Sequence, residues 1–127
     1  MSDAIAFTSI PVTDMKRAVR FYQDILGLKL LFERPDWSEF SIGGQRLALK
    51  AGKDPQGKDP QEKDRSTGVV VYLSAHPVED RVEVLKKRGV RFNGPVKSFP
   101  YGKLVQFEDS EGNILGLYEP PQKQTGA

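Results

Sequence analysis

His76 is the single histidine of the chain and there is no cysteine, which excludes thiol catalysis, disulfides and Cys-ligated zinc. His76 stands just before Pro77, at the start of a helical pattern, and reads as a capping or surface residue. Glu79 and Asp80 follow it, but one imidazole beside two carboxylates falls short of a designed metal site. The other groups able to do chemistry are Glu39, Arg46, Tyr101 and Trp37. Trp37–Ile42 alternates, so Trp37 and Glu39 share one strand face, and Arg46 follows across a Gly43-Gly44 hairpin signal. Two readings stay open. Glu39 and Arg46 form a surface cross-strand ion pair, or Glu39 is a general base with Arg46 or Tyr101 stabilising developing negative charge. Trp37 suits stacking on a ligand or packing at a seam between copies, and the pattern assigns Gln106 to no face.

These residues are carried by one structural unit written twice. In the first pass a strand over Ile5–Ile10 ends at Pro11, and Thr13 or Asp14 caps a helix from about Asp14 to Leu26. Met15, Val19, Tyr22 and Leu26, widened by Ala18 and Ile25, form its buried stripe, and Gly27 supplies a left-handed C-terminal residue. Strands follow over Leu28–Arg34, Trp37–Ile42 and Arg46–Lys50, giving β-α-β-β-β. In the second pass a strand over Val69–Leu73 precedes a helix from about Pro77 to Arg88, with Val78, Val82 and Leu85 inward. Gly89 ends it. Extended segments follow at Val90–Phe92, near Lys103–Glu108 and at Ile114–Glu119. Between the passes, residues 52–65 repeat Gly-Lys-Asp-Pro-Gln with balanced charge, the composition of a mobile linker, or of a flap over a cleft.

Ile10-Pro11-Val12-Thr13-Asp14, Ala18, Phe21-Tyr22 and Leu26-Gly27-Leu28 resemble the opening of vicinal oxygen chelate (VOC) proteins. These include glyoxalase I, extradiol dioxygenases, fosfomycin-resistance enzymes and bleomycin-resistance proteins. Phe107–Asn113 resembles the family's closing DPDGN turn, with Ser110 where proline is common. The resemblance covers about residues 4–119. It implies an α+β fold of two paired βαβββ modules forming a curved, cup-like mixed sheet, and it implies homodimers. The chain is accordingly expected to be a single VOC domain over 1–127: module one at about 4–50, linker 51–67, module two at about 68–119, polar tail 120–127.

The resemblance also implies four metal-ligand positions, and here they fall on Phe7, near Ala48, Val69 and Gly116. None offers a donor. A one-residue shift gives Ala6 or Thr8, Leu47 or Leu49, Val70, and Leu115 or Leu117, and a lone hydroxyl is a poor transition-metal site. The expectation is therefore no metal and no cofactor. Strand alternation adds Ser9, Arg46, Val71, Ile114 and Tyr118 to the inward faces, and Tyr101 sits in a loop that walls the pocket in relatives. Gly116 is expected to open room where relatives place a carboxylate. The expected ligand-binding set is Phe7, Ser9, Trp37, Glu39, Arg46, Ala48, Val69, Val71, Tyr101, Gly116 and Tyr118, suited to an aromatic or amphipathic small molecule.

Composition narrows the function classes. Nineteen basic and 17 acidic residues leave a net charge of +2, with no like-charge stripe for nucleic acid. A positive balance also disfavours the acidic groove that sequestration of a cationic antibiotic would use. No segment approaches the ~20 apolar residues of a membrane span. The expectation is a cytoplasmic, metal-independent binding protein. The alternatives are a metal-free isomerase or lyase using Glu39, a metal-dependent glyoxalase or dioxygenase, and an interaction module.

Overall fold

A computed structural model describes residues 5–52 and 69–121. The chain divides into two compact units, Met1–Arg65 with Asp109–Asn113, and Ser66–Glu108 with Ile114–Ala127. Of the expected linker, Ala51 closes the last strand of module one and Gly52 follows it; the rest of the linker and all but the first two residues of the polar tail lie outside the described residues.

In the first unit, β1 (Thr8–Val12), α1 (Met15–Arg20), β2 (Lys29–Phe32), β3 (Trp37–Ile42) and β4 (Gln45–Ala51) follow one another, and the sheet order is β1-β4-β3-β2. The β1–β4 pair is parallel and the other two are antiparallel. Pro11 does not end β1 but lies within it. β1 is an edge strand, so a residue without an N–H is tolerated there. Asp14 caps α1 by accepting from the Arg17 N–H at 3.0 Å. The helix continues as a π-turn over Phe21–Ile25, with Leu26 N–H bonded to the Phe21 carbonyl at 3.0 Å. The wider turn shifts the buried stripe. Leu26, expected in the stripe, is only half-buried, while Phe21, three residues after Ala18, is buried beside Tyr22. Gly43 and Gly44, at φ of 56° and 80°, close the β3–β4 hairpin as that dipeptide predicts.

One sheet face, carrying Ile10, Val12, Phe40, Leu47 and Leu49, packs beneath Ala18, Val19 and Tyr22. The turn Asp109–Asn113 belongs to this unit and is tied to it by buried polar bonds. Glu111, 0% exposed, accepts through Oε1 from the Thr13 N–H and hydroxyl, the Asp14 N–H and Arg17. Its Oε2 accepts from Arg17 Nε at 2.7 Å and from Ser110. Asp109 accepts the Tyr22 hydroxyl at 2.7 Å. Both buried carboxylates of this turn are therefore met by several donors, as burial of charge requires.

The second unit repeats the plan with β5 (Val71–Ser74), α2 (Val78–Lys87), β6 (Lys97–Phe99), β7 (Gly102–Glu108) and β8 (Ile114–Glu119), in the order β5-β8-β7-β6. Both halves are thus βαβββ with the same topology, as the repeat predicts. Differences are local. β6 lies between the segments expected at Val90–Phe92 and Lys103–Glu108, and Val90–Phe92 forms only a bridge, Phe92 to Phe107. Glu119 accepts from the Val78 N–H at 2.8 Å, supplying the helix cap that Pro77 lacks. His76 is exposed, its Nδ1 3.7 Å from Glu119, consistent with its reading as a residue of the helix start.

Candidate functional site

The first unit has one sheet face under α1 and one open. Register assigns residues to the open face, because directly paired residues project to the same side. Ser9, Ala48 and Glu39 form one row, Pro11, Lys50 and Trp37 a second, and Arg46, Ser41 and Lys29 a third. Phe7 precedes β1, and the Arg46 guanidinium lies 5.8 Å from its ring centroid.

These side chains form a connected group. The Trp37 indole N–H donates to one Glu39 oxygen at 2.7 Å. Arg46 takes the other, through Nε at 2.8 Å and its terminal nitrogen at 2.7 Å. Phe7 meets Trp37 edge-on, with centroids 5.5 Å apart and planes at 89°, a favourable quadrupole arrangement. The two rings meet above the Ser9–Ala48–Glu39 row. That accounts for Ala48 and Glu39 being 0% and 5% exposed. The expected apolar floor at Ala48 is therefore roofed by aromatic rings. The platform open to a ligand is Phe7 (42% exposed), Trp37 and the half-exposed Arg46.

The ion pair between Glu39 and Arg46 is present, with its acid buried and its base wet. The Trp37 hydrogen bond, followed by the bond and charge of Arg46, outweighs burial and holds the Glu39 carboxyl below its usual range. Such a group stays ionised with both oxygens engaged. It is a weak candidate for a general base, whose pKa should lie near the working pH.

In the second unit the open face is set by β5 and β8. Tyr72 pairs with Gly116, Ser74 with Tyr118, and Val71 with Leu115. This corrects the phase expected for β5. Val71 lies with Leu115, on the face opposite Gly116, and Val69 precedes the strand and is 95% exposed. Tyr72 takes the inward place. Its ring lies against the Cα of Gly116, so a Cβ there would collide with it. Gly116 thus opens no room, because the space is filled by Tyr72, whose hydroxyl accepts from Gln106 at 2.9 Å. Gln106 pairs with Gly116 and shares this face. Ile114 pairs with Glu108 at the far end of the strand, and Tyr118 donates its hydroxyl to the Tyr101 carbonyl at 2.8 Å. Tyr101 itself is 58% exposed and stacks on Phe99, centroids 5.0 Å apart. A pocket of about 200 Å³ includes Tyr72, Lys97, Phe99 and Gln106 in its lining.

Within the first unit, then, Phe7, Ser9, Trp37, Glu39, Arg46 and Ala48 come together. Within the second, Gly116 and Tyr118 share a face from which Val69 and Val71 are absent. Tyr72, Phe99 and Gln106 were not in the expected set. Tyr72 was recoverable only from the β5–β8 register, which the sequence does not carry.

A metal at the four inferred positions does not fit this chemistry. Phe7, Ala48 and Gly116 have no heteroatom to donate, and the Tyr72 ring stands over the last of them. Among the described residues no cluster of three or more His, Cys, Asp or Glu side chains is placed to hold an ion.

Comparison with known proteins gives a consistent result. The family profile described as Glyoxalase/Bleomycin resistance protein/Dioxygenase superfamily matches residues 4–117. The metallothiol transferase FosB of Staphylococcus haemolyticus is 28% identical over 120 residues, covering 93% of this chain and 84% of that protein. The structure of TnmS3, an antibiotic binding protein from Streptomyces sp. CB03234, is similar at a TM-score of 0.74 and 28% identity, over 94% of this chain and 98% of that one. A glyoxylase/bleomycin resistance protein/dioxygenase domain from Frankia sp. EAN1pec superposes at a TM-score of 0.76 with 22% identity, covering 98% and 96% of the two chains.

Proposed function

Since the chain belongs to the glyoxalase/bleomycin resistance protein/dioxygenase superfamily, we propose that it uses that scaffold without metal, as a protein that holds an aromatic or amphipathic small molecule on its open sheet faces. The observation that carries this reading is the donor set. Where the family resemblance puts ligands, the chain has Phe7, Ala48 and Gly116, and beside them stands an aromatic platform with one guanidinium. Stacking surface plus a few fixed polar groups is the chemistry of small-molecule recognition rather than chelation. The likeness to an antibiotic binding protein supports a binder. The likeness to a metallothiol transferase keeps an enzyme within the family's range, but Glu39, with both oxygens bonded to Trp37 and Arg46, is a weak candidate for the base.

The proposal extends to a homodimer acting in the cytoplasm, with neither cofactor nor nucleic-acid partner. The absence of cysteine, the near-balanced charge and the lack, among the described residues, of a helix able to cross a membrane are compatible with it.

Native mass spectrometry and elemental analysis of one preparation, purified without chelator, test the reading together. A retained organic mass with substoichiometric metal supports it. Stoichiometric nickel, zinc, iron or manganese refutes it, and so does failure to bind any member of an aromatic fragment set.

A further inference from the structure

The open face of the β1-β4-β3-β2 sheet is not electrically neutral. Besides Glu39 it carries Lys29, Arg46 and Lys50, three cations against one carboxylate. That carboxylate is buried and already bonded to Trp37 and Arg46. Lys29 and Lys50 are exposed and form no ion pair among the described residues. The β2–β3 turn at one edge of the face adds Glu33, Arg34 and Asp36, and Arg34 lies 5.2 Å over the Phe32 ring. Lys50 is the cross-strand neighbour of Trp37, and Arg46 lies by Phe7. Along β4 the two cations are four residues apart, roughly 13 Å in extended chain, with small Ala48 between them. The Phe7–Trp37 pair occupies that interval.

From this arrangement we infer that the ligand class of this face is a small planar aromatic carboxylate. The inference rests on the binding function proposed above and specifies its chemistry. The ring system stacks on the exposed surfaces of Phe7 and Trp37. The carboxylate takes the Lys50 ammonium beside Trp37, while Arg46, already bonded to Glu39, adds to the positive field of the face. Glu39 is a positioning residue, because it fixes the indole that meets the ligand. On the strands themselves a cationic ligand would meet Arg46, Lys29 and Lys50 and no free carboxylate, the nearest being Glu33 and Asp36 in the turn at the edge. A neutral one would gain stacking but no charge contact.

Trp37 is the only tryptophan of the chain, so its indole N–H gives a single resonance in a nitrogen–proton correlation spectrum of the full-length protein. We would titrate 2-naphthoate and its neutral isostere 2-naphthamide against that resonance at low and high salt, in wild type, Lys50→Gln and Lys50→Glu. Lys50 is exposed, and unchanged denaturation midpoints establish that the variants fold. The expected result is saturable binding of naphthoate about tenfold tighter than naphthamide, a preference that shrinks with added salt. Lys50→Glu removes that preference and leaves naphthamide affinity unchanged. Equal affinities, a preference for the amide, or a naphthoate preference indifferent to both Lys50 variants and salt overturns the inference while the binding function stands. No shift with either probe also overturns it, and the retained-ligand measurement then decides the broader reading separately.

Discussion

Replacing Glu111 with glutamine is expected to be the most damaging conservative change in the first unit, with a pH signature that identifies its cause. Burial alone would raise this carboxyl. The Arg17 side chain, the backbone N–H groups of Asp14 and Thr13, and the Thr13 hydroxyl more than reverse that, bringing it from 4.5 to about 2. The folded value lies below the unfolded one, so the stabilisation is fully present above the unfolded pKa. It is lost as pH falls through the folded value. A drop of that size corresponds to about 3 kcal/mol at neutral pH, at roughly 1.4 kcal/mol per unit. Glu111→Gln keeps the shape but turns an amide nitrogen toward donors that need an acceptor, so it forfeits most of this amount. Urea unfolding followed by Trp37 emission, from pH ~7 to pH ~2, gives the two stability curves. The gap should be about 3 kcal/mol near neutrality, narrow below pH ~4.5 and almost close near pH ~2. High salt should reduce it only modestly, because four of the donors are uncharged. Asp109, raised by burial against its bonds from Tyr22 and Asn113, has the opposite sign but is common to both proteins. A gap below about 1 kcal/mol, or one independent of pH, would refute the account of this turn.

Gly116→Ala should destabilise the protein by about 1–2 kcal/mol, since its Cβ displaces the Tyr72 ring. Adding Tyr72→Ala should recover part of the loss in chemical denaturation, and additive losses would sink the explanation. Glu39→Gln leaves only one full acceptor for Trp37 and Arg46. It should shift the indole N–H resonance and weaken aromatic ligand binding about tenfold while moving stability by no more than ~1–2 kcal/mol. Phe7→Ala exposes the Trp37 edge, and a red shift of Trp37 emission with unchanged far-ultraviolet circular dichroism is the expected readout.

Much of the architecture was legible in order of residues. The repeated sequence of strand, capped helix, glycine and paired strands is local information, and both halves fold as βαβββ with one shared topology. The hairpin of β3 and β4 was legible for the same reason, since Gly43-Gly44 and the alternation of Trp37, Glu39 and Phe40 need no distant partner. Pro11 was misjudged because its tolerance depends on β1 being an edge strand, a property of the sheet. Leu26 was misplaced in the stripe because a π-turn from Phe21 changes the spacing that follows, whereas Phe21 lies at ordinary helical spacing from buried Ala18.

The candidate site divides along the same line. Sequence alone determined that Phe7, Ala48 and Gly116 offer a metal nothing, because donor chemistry belongs to the residue and not to its surroundings. It also placed Trp37, Glu39 and Arg46 within reach of one another across a tight hairpin. Only the tertiary structure decided that Glu39 is bonded on both oxygens, that Phe7 and Trp37 roof Ala48, and that Tyr72 rather than Val71 stands over Gly116. Those outcomes turn on register between strands distant in sequence and on which rings fill which space. A one-residue phase difference in β5 exchanges a valine for a tyrosine at the same spot, and nothing within β5 itself distinguishes the two.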